Sequence, residues 1–476
     1  MKGFATILSI LSVFILAKFL TPKDFGLVAM ASILAVALQT ALQISVNQAL
    51  ILKDHPDRED INTAFTINAI RGALMFLIVA GTAYPISVFY SEPLVIPIAF
   101  AFSFSLLLSG FESPALVLLE KELSVKKIMH LNLLAQLSGL IVSIAIAWAT
   151  GSYWAMVVGH IINQVVRLVF SYFFKPYFPW FCLSRWKALL SFSVWISLSR
   201  IILTISEKFE QVLIGKLLGA PLLGQFNIGN EVARRPIQEF AIIINRGLFP
   251  AFSKLLNDNV RLLTAYKYAV SVSTSIALPV GVGIAILAEP IVLITLGREW
   301  IGAIPIIQAL GGITALLNID SATKAIFMAA GLTRSIFMRD AALAIIKSIL
   351  VILGILSYGL AGVLAAIIVA RVLVMVINWL MMKQKFGLSI LSQCMLLLRP
   401  AVSVACMTTL LIWGLPSISV PDTINLYNGT IALFEIAQRA AVGAVTYITT
   451  HILLWFVMGR PLGLEDKLFS IMQKKL

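Results

Sequence analysis

The sequence consists of apolar stretches roughly 20 residues long that follow one another along the whole chain, with short polar breaks between them. Roughly 20 apolar residues is the length that a helix needs to cross the hydrocarbon core of a bilayer. Of the 476 residues, 60% are hydrophobic and 12% are charged, which is too little charge to cover a soluble surface. The sequence therefore predicts an all-α polytopic membrane protein.

The apolar runs between polar breaks predict about fourteen transmembrane helices. They are expected at 2–20, 26–50, 62–89, 93–118, 127–149, 152–174, 188–217, 222–253, 262–296, 300–330, 336–357, 360–383, 396–414 and 430–458. These segments leave no room for a soluble domain of ordinary size.

The cysteines and histidines are dispersed along the chain. Cys182, Cys394 and Cys406 form no CxxC pair, and none of them lies at metal-ligand spacing from a histidine. Neither a disulfide framework nor a metal site is indicated. No cofactor and no catalytic residue are predicted.

Basic residues outnumber acidic ones, 36 to 22, for a formal charge of +14. In a soluble protein this excess of basic residues would suggest nucleic-acid binding. In a membrane protein it first indicates how the chain is oriented across the membrane. Lysines and arginines collect in alternate loops, whereas the loops on the other side carry Lys18, Lys23, Lys216 and Arg298. We therefore predict that both termini are cytoplasmic and that the protein binds no nucleic acid.

The chain resembles itself at an interval of roughly two hundred residues. Residues 18–26 recur as 216–224, and Ile96-Pro97-Ile98 recurs as Ile304-Pro305-Ile306. Because six predicted helices separate the copies, the two halves should share one orientation and be related by an axis along the membrane normal. We expect an N-lobe at 1–174, a C-lobe at 175–386, and two further helices with a cytoplasmic tail at 387–476.

Four stretches resemble the Wzx-type oligosaccharide flippases, a polysaccharide transporter group within the multidrug/oligosaccharidyl-lipid/polysaccharide superfamily. They are the turn after the first helix (20–29), the opening of helix eight (223–226 with Arg235-Pro236), the end of that helix (248–253) and the segment before helix ten (296–305). The resemblance spans nearly the whole chain and keeps the order of its pieces.

The resemblance implies a function in the bacterial inner membrane. A flippase of this group would carry an oligosaccharide linked to undecaprenyl diphosphate, a repeat unit of O-antigen, capsule or exopolysaccharide, from the cytoplasmic to the periplasmic leaflet. Its partner would be membrane lipid, with polysaccharide polymerase and export machinery as further candidates. Transport by alternating access between two lobes needs no catalytic residue.

Some intramembrane charges have a partner within their own helix. Lys324 lies four residues after Asp320, and Arg439 lies four residues after Glu435. Arg235 has an acid four residues away on both sides. Residues at this spacing share a helix face, so we expect structural ion pairs.

Helix seven carries a polar stripe on an otherwise apolar helix. It comprises Ser193, Ser197, Arg200, Thr204, Glu207, Lys208 and Gln211, which recur at three- and four-residue intervals. Neither Arg200 nor Lys208 has an acid three or four residues away. A stripe of this kind faces either a polar cavity or a neighbouring helix, and we favour the cavity.

Four further basic residues belong to the predicted helices. Arg71, Lys347 and Arg371 have no acid one turn away, and Arg234 shares its turn with Glu231. Charges in a membrane normally face a bundle interior or a watery cavity. Together with Arg200 and Lys208 they predict a cationic cavity for an anionic substrate, although a remote structural partner is an equal alternative for Arg71, Lys347 and Arg371. Arginine is suited to phosphate because its planar fork binds two oxygens at once.

Carboxylates could couple transport to an ion gradient. Glu207, Glu210 and Glu231 are the candidates, since a carboxylate in a low-dielectric cavity takes up protons more readily. Consumption of the product outside the membrane could equally drive transport.

Two other functions are compatible with a polytopic chain. A cation or drug antiporter of the same superfamily would be expected to present carboxylates to its cavity, whereas the charges without local partners here are mainly basic. A polysaccharide polymerase would need catalytic groups in a large loop, and the longest candidate, at 416–429, contributes one acid, Asp422. The flippase is the favoured reading.

Overall fold

The computed structural model describes residues 2–41, 50, 56–121, 125–186, 194–314, 316–416, 426–460, 463 and 465. Within these ranges every regular element is a helix. In chain order they are α1 (Lys2–Ala17), α2 (Pro22–Ala41), α3 (Arg58–Tyr90), α4 (Val95–Gly110), α5 (Leu116–Lys121), α6 (Val125–Thr150), α7 (Trp154–Phe174), α8 (Val194–Leu255), α9 (Asn259–Ile286), α10 (Ala288–Thr295), α11 (Ala303–Thr314), α12 (Leu317–Ala329), α13 (Thr333–Phe386), α14 (Ile390–Trp413) and α15 (Leu426–Val457), with a 3₁₀ turn at Arg298–Trp300. The all-α prediction is confirmed.

Nine helices in the described part of the chain are long and apolar enough to cross a membrane, or up to ten if one bent pair is a single span. The chain is therefore a multi-span membrane protein. The number fourteen stays a prediction, but two of its boundaries are visible. Helices α8 and α13 contain one non-helical residue each, Gly219 with φ 87° and Gly359 with φ 56°. Glycine adopts positive φ without steric cost, and both breaks lie where the sequence predicts a new helix.

Three predicted helices are divided. The segment predicted at 93–118 ends as α4 at Gly110 and resumes as α5, because Pro114 disfavours helical geometry at the residue before it. The segment predicted at 262–296 is interrupted at Leu287, and Pro290 lies in the first turn of α10, where proline is tolerated. The segment predicted at 300–330 bends by 42° between α11 and α12.

The chain forms two compact units, Met1–Asn227 and Ile228–Leu476. In the N-terminal unit, α3 packs on α4, α6 packs on α7, and α4 also contacts α2 and α7. In the C-terminal unit, α9 contacts α11, α12 and α14, and a core forms around Tyr266 and Phe327. The predicted lobe limits at 174 and 386 stay predictions.

The two copies of the sequence repeat meet inside the N-terminal unit. A Cβ atom added to Gly26 would lie 1.8 Å from the carbonyl oxygen of Ala220, and one added to Gly224 would lie 2.0 Å from that of Pro22. In the repeat, position 22 corresponds to 220 and position 26 to 224. The contact is therefore reciprocal, which is the pattern that a two-fold axis produces.

The segment after α7 is fastened to the beginning of α3. The Tyr177 hydroxyl donates to Asn62 Oδ1 at 2.9 Å, and the Cys182 amide donates to Thr66 Oγ1 at 2.8 Å. Arg185 Nε lies 3.3 Å from Glu59 Oε2, and this hydrogen bond raises the pKa of the exposed guanidinium. These contacts hold the segment after α7 against the N-terminal part of α3.

Candidate functional site

A charged group lies at one end of α4 in the N-terminal unit. Arg167 Nε contacts both carboxylate oxygens of Glu112, at 2.9 and 3.0 Å. Gln164 Nε2 donates to the same carboxylate at 2.7 Å, and Arg167 Nη1 donates to Asn132 Oδ1 at 2.9 Å. Helices α6 and α7 thus supply the side chains that hold a carboxylate at the end of α4.

Arg71, on α3, completes this group. It lines a small polar cavity of about 120 Å³ together with Glu112 and Arg167, and Glu112 attracts it electrostatically. We call Arg71, Glu112 and Arg167 the cavity cluster. Glu112, which Arg167 contacts, is thus a candidate for the remote structural partner that the sequence left open for Arg71.

Backbone contacts fix the position of Glu112. The Ser113 amide donates to Ser171 Oγ at 3.0 Å, and the Tyr172 hydroxyl donates to the Phe111 carbonyl at 2.8 Å. Both bonds fasten the residues next to Glu112 onto α7. The carboxylate is therefore placed by its own backbone as well as by its ion pair.

Two glycines bring α3 against α4 next to the cavity cluster. A Cβ atom on Gly72 would lie 2.9 Å from the Gly110 Cα atom, and one on Gly110 would lie 2.7 Å from the Asn68 carbonyl oxygen. Small residues at a helix crossing allow this close approach in membrane proteins. Because Gly72 follows Arg71 and Gly110 precedes Glu112 by two residues, the crossing brings the two charges to the same cavity.

A second charged group lies in the C-terminal unit, and it is balanced. Lys324 Nζ lies 3.0 Å from Asp320 Oδ2, which confirms the predicted pair. Arg339 Nη1 lies 2.9 Å from Asp320 Oδ1, and Arg339 Nη2 lies 2.6 Å from Asp340 Oδ1. Asn378 accepts a hydrogen bond from Arg339 and donates to Asp320. We call Asp320, Lys324, Arg339 and Asp340 the core cluster, since Arg339 and Asp340 are each 3% exposed.

A third polar group links α14 and α15. Arg399 Nη1 and His451 Nε2 contact Glu465 Oε1 at 3.1 and 2.8 Å, and Ser403 Oγ lies 3.3 Å from His451 Nδ1. Burial acts to raise the pKa of Glu465, but the hydrogen bond to His451 and the charge of Arg399 outweigh it and lower that pKa. The arrangement ties residue 465 to both helices.

An apolar groove of about 500 Å³ lies beside this third group, between α9, α10, α14 and α15. Pro279, Met407 and Ile436 are among its lining residues. Tyr447 also lines it, with its hydroxyl turned to the Ser275 carbonyl at 2.8 Å. The groove therefore presents hydrocarbon surface, and its size is within the range of small-molecule sites.

The remaining predicted site residues lie on long helices. On α8, Lys208 donates to Gln211 at 3.0 Å within the polar stripe that the sequence predicted, and Glu210 is buried. Arg235 pairs with Glu231 as predicted, at a half-exposed position. Arg439 donates to the Pro416 carbonyl, and the described ion pairs do not include the one expected with Glu435. Glu207, Arg234, Lys347 and Arg371 are all half-buried, whereas the side chain of Arg200 lies outside the described part of the chain.

Glu112 and Arg167 are functional candidates that the sequence reasoning missed. They are 55 residues apart, so neither has a partner within its own helix turn. The one available sign was an acid next to a Ser-Pro break inside an apolar run, at Glu112-Ser113-Pro114.

Comparisons with known proteins agree with this architecture. A family profile described as "Polysaccharide biosynthesis protein" matches residues 15–305. The chain is 23% identical over 326 residues to the lipopolysaccharide biosynthesis protein WzxC of Escherichia coli K12, covering 68% of this chain and 66% of that protein. It is 25% identical over 305 residues to the succinoglycan biosynthesis transport protein ExoT of Rhizobium meliloti, covering 64% and 62%. The chain thus spans less than two thirds of the length of these relatives, 66% and 62%.

Solved structures show the same fold. A structure of the lipid II flippase MurJ in an inward closed conformation has a TM-score of 0.76 at 12% identity, covering 96% of this chain and 98% of that one. An inward-facing multidrug resistance transporter of the MATE family, from the MOP superfamily, has a TM-score of 0.62 at 14% identity, covering 80% and 94%. At these identities the likeness concerns the fold alone.

Proposed function

The chain belongs to the polysaccharide biosynthesis protein family, whose profile covers more than half of it, and from this premise we propose that it is a flippase for lipid-linked oligosaccharide. The substrate is a polyprenyl-diphosphate-linked repeat unit, and the direction is from the cytoplasmic to the periplasmic leaflet. The named relatives support this proposal, since one is a lipopolysaccharide biosynthesis protein and another a succinoglycan transport protein. Transport, and not catalysis, is the proposed activity.

The observation that carries the proposal is the presence of two opposite environments in one membrane protein. The N-terminal unit contains a polar cavity lined by two arginines and one glutamate, and the C-terminal unit contains an apolar groove of about 500 Å³. A lipid-linked oligosaccharide has an anionic diphosphate and a long hydrocarbon tail. Arginine binds phosphate oxygens through paired hydrogen bonds, and each of the two environments, taken by itself, suits one chemical part of such a molecule.

Other basic residues extend the proposed path of the head group. Arg200, Lys208, Arg234, Lys347 and Arg371 remain candidates for contacts with the diphosphate during transport. Glu207, Glu210 and Glu231 remain candidates for coupling to a proton or sodium gradient, which would bind and release at these carboxylates. The proposed orientation has both termini in the cytoplasm, and the proposed partners are a polysaccharide polymerase and export machinery.

A cation or drug antiporter is the competing function, because the fold is shared with a multidrug transporter. The charges of the cavity cluster argue against it. A cationic ligand at this cavity would meet two arginines, and the one carboxylate among its described lining residues is bound by Arg167 through both oxygens. Like charges at close range cost energy and are used to exclude wrong partners.

Reconstitution in proteoliposomes tests the proposal. A polyprenyl-diphosphate disaccharide with a fluorescent sugar is placed in both leaflets, and a membrane-impermeant quencher reports how much of it crosses. We expect transport in vesicles that contain the protein and none in protein-free vesicles, with no transport of the cation ethidium. Ethidium transport without lipid-linked disaccharide transport would establish the antiporter instead.

A further inference from the structure

The chain changes direction after α15 through a defined turn. Gly459 has φ 78° and Arg460 has φ 53°. The Arg460 amide donates to the Trp455 carbonyl at 2.9 Å, and the Gly459 amide donates to the Phe456 carbonyl at 3.3 Å. This pair of bonds across a left-handed glycine is the Schellman arrangement that ends a helix. The Arg460 guanidinium also lies over the rings of Trp455 and Phe456, at 5.8 and 5.1 Å from their centroids.

Glu465, which follows this turn, is buried against the C-terminal helices. Its Oε1 atom lies 3.1 Å from Arg399 Nη1 on α14 and 2.8 Å from His451 Nε2 on α15. Arg399 Nη2 lies 3.4 Å from Ser271 Oγ on α9, so the guanidinium links the carboxylate to a third helix. The side chains of Glu465 and Arg399 are 9% and 4% exposed. A buried ion pair of this kind is stable while both partners stay in place.

Gly463 shows how closely the returning segment packs. It is buried, and a Cβ atom added there would lie 2.3 Å from Glu465 Oε2 and 3.2 Å from Arg399 Nη2. A side chain at this position would therefore have to displace the carboxylate from the arginine. We call residues 458–460, 463 and 465 the strap.

The ion pair of the strap lies at one end of the apolar groove. On three helices the residues of the polar group adjoin residues that line the groove, within about one turn. These neighbours are Ser275 and Ile276 on α9, Ser403 and Met407 on α14, and His451 and Ile448 on α15. Tyr447, which also lines the groove, stacks on the His451 ring with 5.2 Å between the centroids. Glu465 thus contacts the residue at which the groove ends on α15.

We propose that the strap closes this end of the apolar groove, and that Glu465 is the internal ligand that holds it closed. With the carboxylate bound, α9, α14 and α15 are tied together through Arg399 and His451. Release of the carboxylate leaves the buried guanidinium without the acid that it contacts, so water must solvate it and the end of the groove opens. The proposal rests on the proposed function for the nature of the groove's ligand, which is a hydrocarbon chain.

Thiol labelling of the full-length protein in lipid nanodiscs tests whether Glu465 holds the strap. The three native cysteines are replaced by serine, and Ser271→Cys places a thiol beside Arg399, at a position that is 1% exposed. In Glu465→Gln the side chain keeps its shape but loses its charge, and with it the strength of its charge-assisted contacts. We expect this variant to speed the reaction of the thiol with a water-soluble maleimide on the order of tenfold, because the open state is populated more.

Ser273→Cys provides the control thiol on the same helix. Ser273 is 3% exposed, and its hydroxyl donates to the Ala269 carbonyl at 2.7 Å, so its burial does not depend on the strap. Its labelling rate should be the same with and without Glu465→Gln. A general loosening of the protein would speed both thiols alike.

Two further variants keep the test decisive. Glu465→Asp retains the charge on a side chain one methylene shorter, so it should also speed labelling, and it replaces Glu465→Gln if that variant does not fold. Asp258→Asn is the matched control, since Asp258 pairs with Arg261 at an exposed position of the same unit. Asparagine is also a good cap for the start of α9. This control should label as the wild type does.

A photoactivatable analogue of geranylgeraniol, which has a hydrocarbon chain and no phosphate, reports access to the groove. Mass spectrometry locates its attachment to peptides that contain Met407 or Ile436, which line the groove. We expect attachment to be severalfold faster in Glu465→Gln than in the wild type and in Asp258→Asn.

The outcomes separate the strap from the function. Equal thiol labelling in the wild type and both Glu465 variants would overturn the strap. Faster thiol labelling with unchanged attachment of geranylgeraniol would show that Glu465 ties the helices together without closing the groove, and would overturn the proposed closure. Both effects in a protein that transports no lipid-linked disaccharide would leave the strap standing and overturn the flippase.

Discussion

The cavity cluster and the core cluster consist of the same kinds of charged side chain, but their surroundings differ. The cavity cluster sets two arginines against one glutamate, beside an open volume of about 120 Å³. The core cluster sets Arg339 and Lys324 against two aspartates, with Arg339 and Asp340 almost fully buried. The core cluster is closed and its charges are matched one to one, whereas the cavity cluster borders an open polar volume. An adjoining polar cavity, more than the presence of charge, distinguishes a candidate site from a structural ion network.

The largest expected effect comes from breaking the balance of the core cluster. Arg339→Ala removes the cation that contacts Asp320 at 2.9 Å and Asp340 at 2.6 Å. Removing one partner of a buried ion pair costs about 3–5 kcal/mol, because the remaining charge stays buried. We expect a marked loss of folded protein in membranes and a lower unfolding temperature in detergent.

The matched control for this variant is Arg261→Ala, in an exposed pair with Asp258 at 3.2 Å. Exposed pairs contribute about 0–1 kcal/mol, so this variant should accumulate normally. The double variant Asp320→Ala with Arg339→Ala removes one charge of each sign and should recover part of the loss. Normal abundance of Arg339→Ala alone would contradict a structural role for the core cluster.

The sequence predicted the fold and the local ion pairs, but not the networks. The pair Asp320–Lys324 was visible because residues four apart share a helix face. The sequence did not indicate that Arg339 and Asn378 contact Asp320, since Asn378, for example, is 58 residues from Asp320. The same limit explains why Arg71 was predicted as a candidate and Glu112 was not. Spacing reports neighbours on one helix, whereas a site is assembled by helix crossings that only the tertiary structure reveals.

Helix boundaries show the same limit in the backbone. The breaks at Gly219 and Gly359 coincide with polar or glycine-containing interruptions in the sequence and were predicted. The break after Gly110 was missed because apolar residues continue on both sides of it, at 106–108 and 115–119. That missed break is where Glu112 lies, so the error in the fold and the error in the site have one cause.

An intermediate effect is expected from the helix crossing that assembles the cavity cluster. Gly72→Ala places a methyl group 2.9 Å from the Gly110 Cα atom, so the helices must separate. Overpacking of this kind costs about 1–3 kcal/mol. The core cluster does not depend on this crossing, so its contribution to stability should be unchanged. Thermal unfolding of the purified protein measures the cost.

Gly81→Ala is the matched control on the same helix, because an added Cβ at Gly81 meets nothing within 4 Å. Alanine is favoured over glycine in a helix by about 0.5–1 kcal/mol, so this variant should be as stable as the wild type or slightly more so. Equal unfolding temperatures for Gly72→Ala and Gly81→Ala would show that the crossing tolerates the methyl group, and that it does not set the distance between Arg71 and Glu112.

The smallest effect is expected at Arg235, whose pairing has the same spacing in the sequence as that of Lys324. Arg235 and its partner Glu231 are 38% and 46% exposed, whereas Lys324 and Asp320 are 25% and 16% exposed. Exposed pairs at this spacing contribute about 0.3–0.5 kcal/mol. Arg235→Ala should therefore leave abundance and unfolding temperature nearly unchanged. Lys324→Ala should cost more, because it leaves the core cluster with two aspartates and one arginine. Unfolding of both variants is measured under identical conditions. If Arg235→Ala destabilises the protein as much as Lys324→Ala does, then the difference in burial between the two pairs does not determine their contribution to stability. Charge balance alone would then also fail to explain the stability of the core cluster.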